Sequence, residues 1–229
     1  MPSEGPGTNG VWSGTTFTGQ NCGTPLGVDT IAFQANTGIL WSTGPAGIQN
    51  LGLGMMAGTS PSLAKLANGQ YIIAFQSNNG QLWTTGAGGT KNWGLGIRAG
   101  TSPSVTAVGN DYQIAFQSDT GLWTAGAGGT IRHNLGLKAG TSPSNTTLAN
   151  GSTITAFQSA DGVLWTVGPD GVKNWGLGIR AGTSPSVTAV GNDYRVAFQS
   201  DTGLWTAGAG GTIRHNLGLK AGTSPSGGH

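Results

Sequence analysis

The chain has 229 residues, 44 of them Gly; only 8% are charged and the formal charge is +2. So small and scattered a charge does not mark a nucleic-acid partner, and no Ala/Leu/Glu/Lys-rich run of the kind long helices need is present. Cys22 is the only cysteine, which excludes an intrachain disulfide, and no apolar run approaches the roughly 18 residues of a membrane span.

Residues 1–14 read as an N-terminal extension. The start, Met1-Pro2-Ser3-Glu4-Gly5, lacks the basic and apolar stretches of a signal peptide. Two origins fit that start: a cytoplasmic or non-classically released protein, and a trimmed secreted domain. The atypical segment Thr15-Thr16-Phe17-Thr18-Gly19-Gln20 follows.

Beyond it the chain repeats. Ala-Phe-Gln begins at Ala32, Ala74, Ala115, Ala156 and Ala197, in steps of 42, 41, 41 and 41. Gly-Thr-Ser-Pro-Ser begins at Gly58, Gly100, Gly140, Gly182 and Gly222, in steps of 42, 40, 42 and 40. A fixed period of this size is the signature of a repeat array.

The third unit predicts four strands. Pro103 to Val108 is a short β-branched run, closed by the turn Gly109-Asn110-Asp111, where Gly and Asn supply positive φ. Tyr112 to Gln117 is the second strand, with Tyr112, Ile114 and Phe116 on one face and Gln113, Ala115 and Gln117 on the other. The turn Ser118-Asp119-Thr120-Gly121 leads to a third strand, Leu122-Trp123-Thr124. A Gly-rich bend, Ala125 to Gly129, precedes a weaker fourth strand from Thr130 to Leu137. Four short antiparallel strands per unit of about 41 residues make one propeller blade. The expected fold is all-β: residues 1–229 form one five-bladed β-propeller. Thr15 to Gln20 is expected to supply the strand that closes the ring.

Residues 91–144 and 173–226 differ only at Gln113/Arg195 and Ile114/Val196, so the duplicated unit spans two blades. The connectors alternate with it. Lys91-Asn92-Trp93-Gly94-Leu95-Gly96-Ile97-Arg98 recurs at 173–180, and Ile131-Arg132-His133-Asn134-Leu135-Gly136-Leu137-Lys138 recurs at 213–220. The first connector carries Leu51 and Met56 where the others carry Trp or His and Arg or Lys.

Chemistry is sparse. His133 and His215 are copies, as are Asp111 and Asp193, and Asp119 and Asp201, whereas a catalytic constellation is normally unique. No Cys/His spacing fits zinc, and Asp119-Thr120-Gly121 lacks the ligand density of a calcium loop. The expectation is no enzyme, no metal and no cofactor. The tryptophans present in every unit, Trp41, Trp83, Trp123, Trp165 and Trp205, read as packing between blades. Trp93 and Trp175 differ, because His133 and His215 replace them in the other connector type. Such an aromatic either caps a blade edge or is a sugar platform, its ring on the C–H face while nearby amide and guanidinium groups read hydroxyls. The candidate ligand contacts are Asn92, Trp93 and Arg98 with their copies Asn174, Trp175 and Arg180. Arg132, His133, Asn134 and Lys138 join them, with their copies Arg214, His215, Asn216 and Lys220.

The run Ile114 to Thr124, Ile-Ala-Phe-Gln-Ser-Asp-Thr-Gly-Leu-Trp-Thr, resembles the blade signature of tectonin-type and related bacterial propeller lectins. Five blades also resemble the tachylectin type. The similarity spans Thr15 to Ser226 and implies a carbohydrate-binding protein with shallow pockets between adjacent blades. The implied partners are glycans on glycoproteins or cell surfaces, met by multivalent avidity outside the cell; a homo-oligomer stays open. The alternative is a non-catalytic propeller scaffold or targeting domain that binds a protein. A hydrolase working in a central channel would need carboxylates on the first strands, and Val105-Thr106-Ala107-Val108 has none.

Overall fold

The computed structural model describes residues 10–13, 16–19 and 29–227, and every regular element among them is a β-strand. Sheet 1 contains Ile31–Gln34, Ile39–Gly44 and Gly47–Gly54. Sheet 2 contains Ser62–Lys65, Tyr71–Gln76, Gln81–Gly86 and Lys91–Gly96. Sheet 3 contains Ser104–Val108, Asp111–Ser118, Gly121–Gly126 and Ile131–Arg132. Sheet 4 contains Ser144–Thr147, Thr153–Gln158, Val163–Gly168 and Gly171–Gly178. Sheet 5 contains Ser186–Val190, Asp193–Ser200, Gly203–Gly208 and Ile213–Arg214. Strands pair in chain order and antiparallel throughout, the outcome expected when every connection is a short Gly-rich turn.

The second strand of each complete sheet is buried on both faces. Ile114, Ala115, Phe116 and Gln117 are all buried, although their side chains alternate. The reason is stacking. Ile114 and Phe116 pack with Ile72, Ala74 and Leu82 of sheet 2, while Leu122 on the opposite face packs with Leu137 and Phe157. Each junction between sheets is therefore a small apolar core, and the chain carries a series of them.

Two sets of hydrogen bonds hold the junctions in register. The first runs along the Gly-Thr-Ser-Pro-Ser elements. The amides of Ser60, Ser102, Ser142 and Ser184 donate to the hydroxyls of Ser102, Ser142, Ser184 and Ser224, each at 2.9 Å. The amides of Val105, Asn145, Val187 and Gly227 donate back to Ser62, Ser104, Ser144 and Ser186. The motif is thus the stitch that places first strands side by side.

The second set uses the Gln of Ala-Phe-Gln. Gln76 Nε2 donates to Ile97 O at 2.8 Å, and Gln158 Nε2 donates to Ile179 O at 2.8 Å. Gln117 and Gln199 make the matching bonds to Lys138 O and Lys220 O. The backbone carbonyls of the same residues take the amides of the preceding connectors: Met56 N to Gln76 O, Arg98 N to Gln117 O, Lys138 N to Gln158 O and Arg180 N to Gln199 O. One Gln thereby ties the connector entering its sheet to the connector leaving it.

Four features differ from the sequence expectation. Among the described residues sheet 1 has three strands, not four. The expected closing segment does contain a strand, Thr16–Gly19, but it pairs with Gly10–Ser13 as a separate two-stranded sheet; the rest of that segment lies outside the described residues. In the first sheet Phe33 is 40% exposed, and in the last connector Leu217 is 59% exposed, whereas Phe116 is fully buried. The fourth strands of sheets 3 and 5 are only two residues long, and a left-handed residue follows each, Asn134 at φ 54 and Asn216 at φ 52. In the Gly109-Asn110 turn only Gly109 has positive φ, at 61.

Gly126 shares the tightest backbone approach with Gly86 and Gly208. At φ +117 a Cβ there would stand 2.2 Å from Tyr112 O, in a region L-residues do not reach. Gly128, two residues on, has φ +86 and nothing within 4 Å of its would-be Cβ. Gly126→Ala is therefore expected to cost about 3 kcal/mol in urea unfolding and Gly128→Ala about 1 kcal/mol. Equal costs at the two positions contradict this assignment.

Candidate functional site

The exchange of Trp for His between connector types has a local physical cause. Trp93 Nε1 donates to Thr84 Oγ1 at 3.1 Å, and Trp175 Nε1 donates to Thr166 Oγ1 at 3.1 Å. His133 Nε2 lies 2.9 Å from Thr124 Oγ1, and His215 Nε2 lies 2.9 Å from Thr206 Oγ1. Both rings present a nitrogen to the same threonine nine residues earlier. The indole is further enclosed. Tyr112 meets Trp93 edge-on at 6.4 Å, and Lys91 Nζ sits 3.5 Å from the ring centroid. Tyr194 and Lys173 repeat this on Trp175. Burial pushes the His133 imidazole below its ordinary pKa of 6.5.

The other candidates are spread along the connector. Asn92 and Asn174 are exposed, and their Oδ1 atoms accept from Gly94 N at 2.9 Å and Gly176 N at 2.8 Å, so they shape the turn. Asn134 and Asn216 make the same left-handed turn by themselves. Arg132 and Arg214 are exposed and stand directly across the ladder from Trp123 and Trp205. Arg98, Lys138 and Arg180 join the next sheet at Gln117, Gln158 and Gln199. Trp93 therefore meets the next sheet at Tyr112 and Arg98 meets it at Gln117. Five residues of extended strand separate those points, roughly 16 Å. The structure does not bring Trp93 and Arg98 together.

What it does bring together is a cleft repeated at consecutive junctions. Between sheets 2 and 3, Leu95 and Gly96 face Phe116, Ser118, Asp119, Thr120 and Trp123 around a cavity of about 240 Å³. Between sheets 3 and 4, Leu135 and Gly136 face Phe157, Ser159, Ala160, Asp161 and Trp165 around about 220 Å³. Between sheets 4 and 5, Leu177 and Gly178 face Phe198, Ser200, Asp201, Thr202 and Trp205 around about 270 Å³. Each has a Phe floor, a half-buried Trp, a Leu-Gly lip from the preceding connector and a polar turn at the rim. Phe and Trp share the cleft because they are cross-strand partners, Phe116 with Trp123, Phe157 with Trp165 and Phe198 with Trp205.

From the sequence these tryptophans, present in every unit, read as packing between blades; in the structure each also lines a cleft. The signal that marks the cleft is the variable turn just before each Trp: Ser77-Asn78-Asn79, Ser118-Asp119-Thr120, Ser159-Ala160-Asp161 and Ser200-Asp201-Thr202. A larger cavity of about 480 Å³ lies beside Trp175, lined by Lys173, Asp170, Asp193 and Tyr194. Among the described residues no group of three His, Cys, Asp or Glu could hold a metal ion.

No protein-family model matches the sequence, and no curated protein matches it. Solved structures do. A fungal lectin of Aleuria aurantia, described as a six-bladed β-propeller with a novel fucose recognition mode, is 15% identical with a TM-score of 0.58, over 82% of this chain and 74% of that chain. The fucose-specific lectin from the same fungus, in a mercury-derivative form, is 13% identical with a TM-score of 0.55, over 80% of this chain and 72% of that chain. AofleA from Arthrobotrys oligospora is 13% identical with a TM-score of 0.56, over 86% of this chain and 74% of that chain. The fold is of the β-propeller type. At these identities the likeness is one of fold, and the propeller expectation from the sequence is met in that respect.

The His133 environment carries a pH dependence. Its folded pKa lies below the unfolded value of 6.5, so the unfolded chain binds the proton more readily. The stability of neutral His133 is present above pH 6.5 and is lost as pH falls below it. The denaturation midpoint is expected to drop between pH 7 and pH 5, and His133→Gln to flatten that drop. An unchanged slope in His133→Gln places the pH dependence elsewhere.

Proposed function

We propose that this chain is a non-catalytic carbohydrate-binding protein whose sugar sites are the clefts between adjacent blades. The observation that carries the proposal is the recurrence of one cleft design at three consecutive junctions. An indole face beside a Phe floor packs on the C–H face of a pyranose, and the Ser, Thr and Asp groups of the turn meet its hydroxyls. The fold neighbours support the same class: one is described as fucose-specific, and a variant of that lectin is described in complex with α-methyl-L-fucoside. Fucose is the first sugar to test.

Each cleft is small and open, so each site is weak alone. Sites fixed on one rigid array raise avidity by about 10²–10⁴ on a surface that displays many copies of the glycan. Glycoproteins or cell-surface polysaccharide outside the cell are the matching partners. Arg132 and Arg214 stand beside the cleft tryptophans and belong to the site in this reading; Trp93, Trp175, His133 and His215 belong to the packing of the junctions.

A glycan array tests the class, and substitution tests the place. Trp123→Ala, Trp165→Ala and Trp205→Ala combined should abolish array binding, whereas Trp93→Ala with Trp175→Ala should lower thermal stability and leave affinity within about threefold. Retained binding in the first variant, or lost binding in a folded second one, moves the site to the connectors.

A further inference from the structure

The three clefts are not equivalent, and their differences run together. Between sheets 2 and 3, Trp123 Nε1 donates to Thr120 Oγ1 at 2.9 Å, and Thr120 is bonded in turn to Ser118 Oγ at 2.8 Å. Between sheets 4 and 5 the set recurs: Trp205 Nε1 to Thr202 Oγ1 at 2.9 Å, and Thr202 to Ser200 at 2.9 Å. The indole is therefore held by the turn, and the turn presents Asp119 or Asp201 at the rim. Both aspartates are exposed, and neither carboxylate is engaged by a hydrogen bond or ion pair among those formed by the described residues. The facing glycines, Gly96 and Gly178, have nothing within 4 Å of a would-be Cβ, so the space opposite the carboxylate is open.

The cleft between sheets 3 and 4 reverses each feature. Ala160 stands in place of Asp119, and its Cβ lies 3.5 Å from a would-be Cβ on Gly136. The one carboxylate present, Asp161, accepts a hydrogen bond from Ser159 Oγ and is committed to the turn. Trp165 Nε1 is buried without a partner. Across the ladder from Trp165 stands Asn174, where Trp123 and Trp205 have Arg132 and Arg214. The junction of sheets 1 and 2 is narrower still: Asn78 Nδ2 lies 2.7 Å from a would-be Cβ on Gly54, so the amide lies over that lip.

We infer that the chain has two principal sugar sites, at alternate junctions, and that the free carboxylates of Asp119 and Asp201 define them. The inference rests on the carbohydrate reading above. A carboxylate accepts two hydroxyl protons at once, so the ligand class is a neutral sugar with an exposed vicinal diol and an apolar face to lay on Trp and Phe. The cleft at Trp165 offers the apolar face without the acceptor and binds the same sugar more weakly. The 82-residue duplication is then a duplication of the site, because the turn that carries Asp119 recurs at Asp201.

Calorimetric titration of the full chain separates the possibilities. A panel of methyl glycosides, beginning with methyl α-L-fucoside, identifies the sugar held best, and the variants are measured with that sugar. Wild type is expected to show a stoichiometry of two. Asp119→Asn and Asp201→Asn, which keep the shape of the turn, should each leave one site, and the double variant should weaken binding about 10- to 100-fold. Ala160→Asp should raise the affinity of the middle cleft and bring the stoichiometry towards three. Three equal sites in wild type, or unchanged affinity in the double variant, overturn the inference while the carbohydrate reading stands. No binding by wild type to any member of the panel overturns both.

Discussion

The amide side chain of the Gln in the Ala-Phe-Gln of sheets 2 to 5 is the constraint on which the rest of the structure depends. It is buried, so its Nε2 must find an acceptor inside the protein, and the acceptor is a connector carbonyl about 21 residues further on. Its own backbone carbonyl takes the amide of the connector that precedes the sheet. A connector is thus clamped at one residue, or at two adjacent ones, by two successive sheets. Lys138 shows this directly: its carbonyl accepts from Gln117 and its amide donates to Gln158. Replacing such a Gln by an apolar residue leaves a buried carbonyl without its partner, a loss of about 1–3 kcal/mol.

The clefts follow from that clamp. With Ile97, Leu137 and Ile179 buried at the clamp, the Leu-Gly pair just before each is held over the Phe of the next sheet. The lip is glycine, so no side chain fills the gap. The serine stitches fix the opposite side of each junction, at the first strands. What varies is the second position of the turn before each Trp, whose side chain takes part in neither the Gln clamp bonds nor the serine stitches. Chemistry can change there at little cost to the fold, and it does so between Asp119, Ala160 and Asp201.

The strands and their sheet-by-sheet order were legible because turn residues and apolar alternation both obey one 41-residue beat. The alternation of two unit types was legible from the connectors. Less legible was which residues meet. Trp93 and Arg98 are five apart in sequence and look like one constellation, yet they join the next sheet at opposite ends of its second strand. The Trp/His exchange keeps a ring nitrogen on a shared threonine partner that lies nine residues earlier, and sequence spacing does not single that partner out. Trp123 was assigned to packing because it recurs; in a repeat array, recurrence marks a repeated cleft as readily as a core. The pairing of Thr16–Gly19 with Gly10–Ser13 could not be read from the repeats, because both strands lie before the 41-residue beat begins.

The most direct test of the central claim, that junction geometry makes the binding sites, is a crystal structure of the chain soaked with methyl α-L-fucoside or the best sugar of the panel. The account predicts sugar density against Trp123 and Trp205, with ring hydroxyls on Asp119 and Asp201. Density against Trp93 and Trp175 instead, with the clefts at Trp123 and Trp205 holding only water, would contradict it.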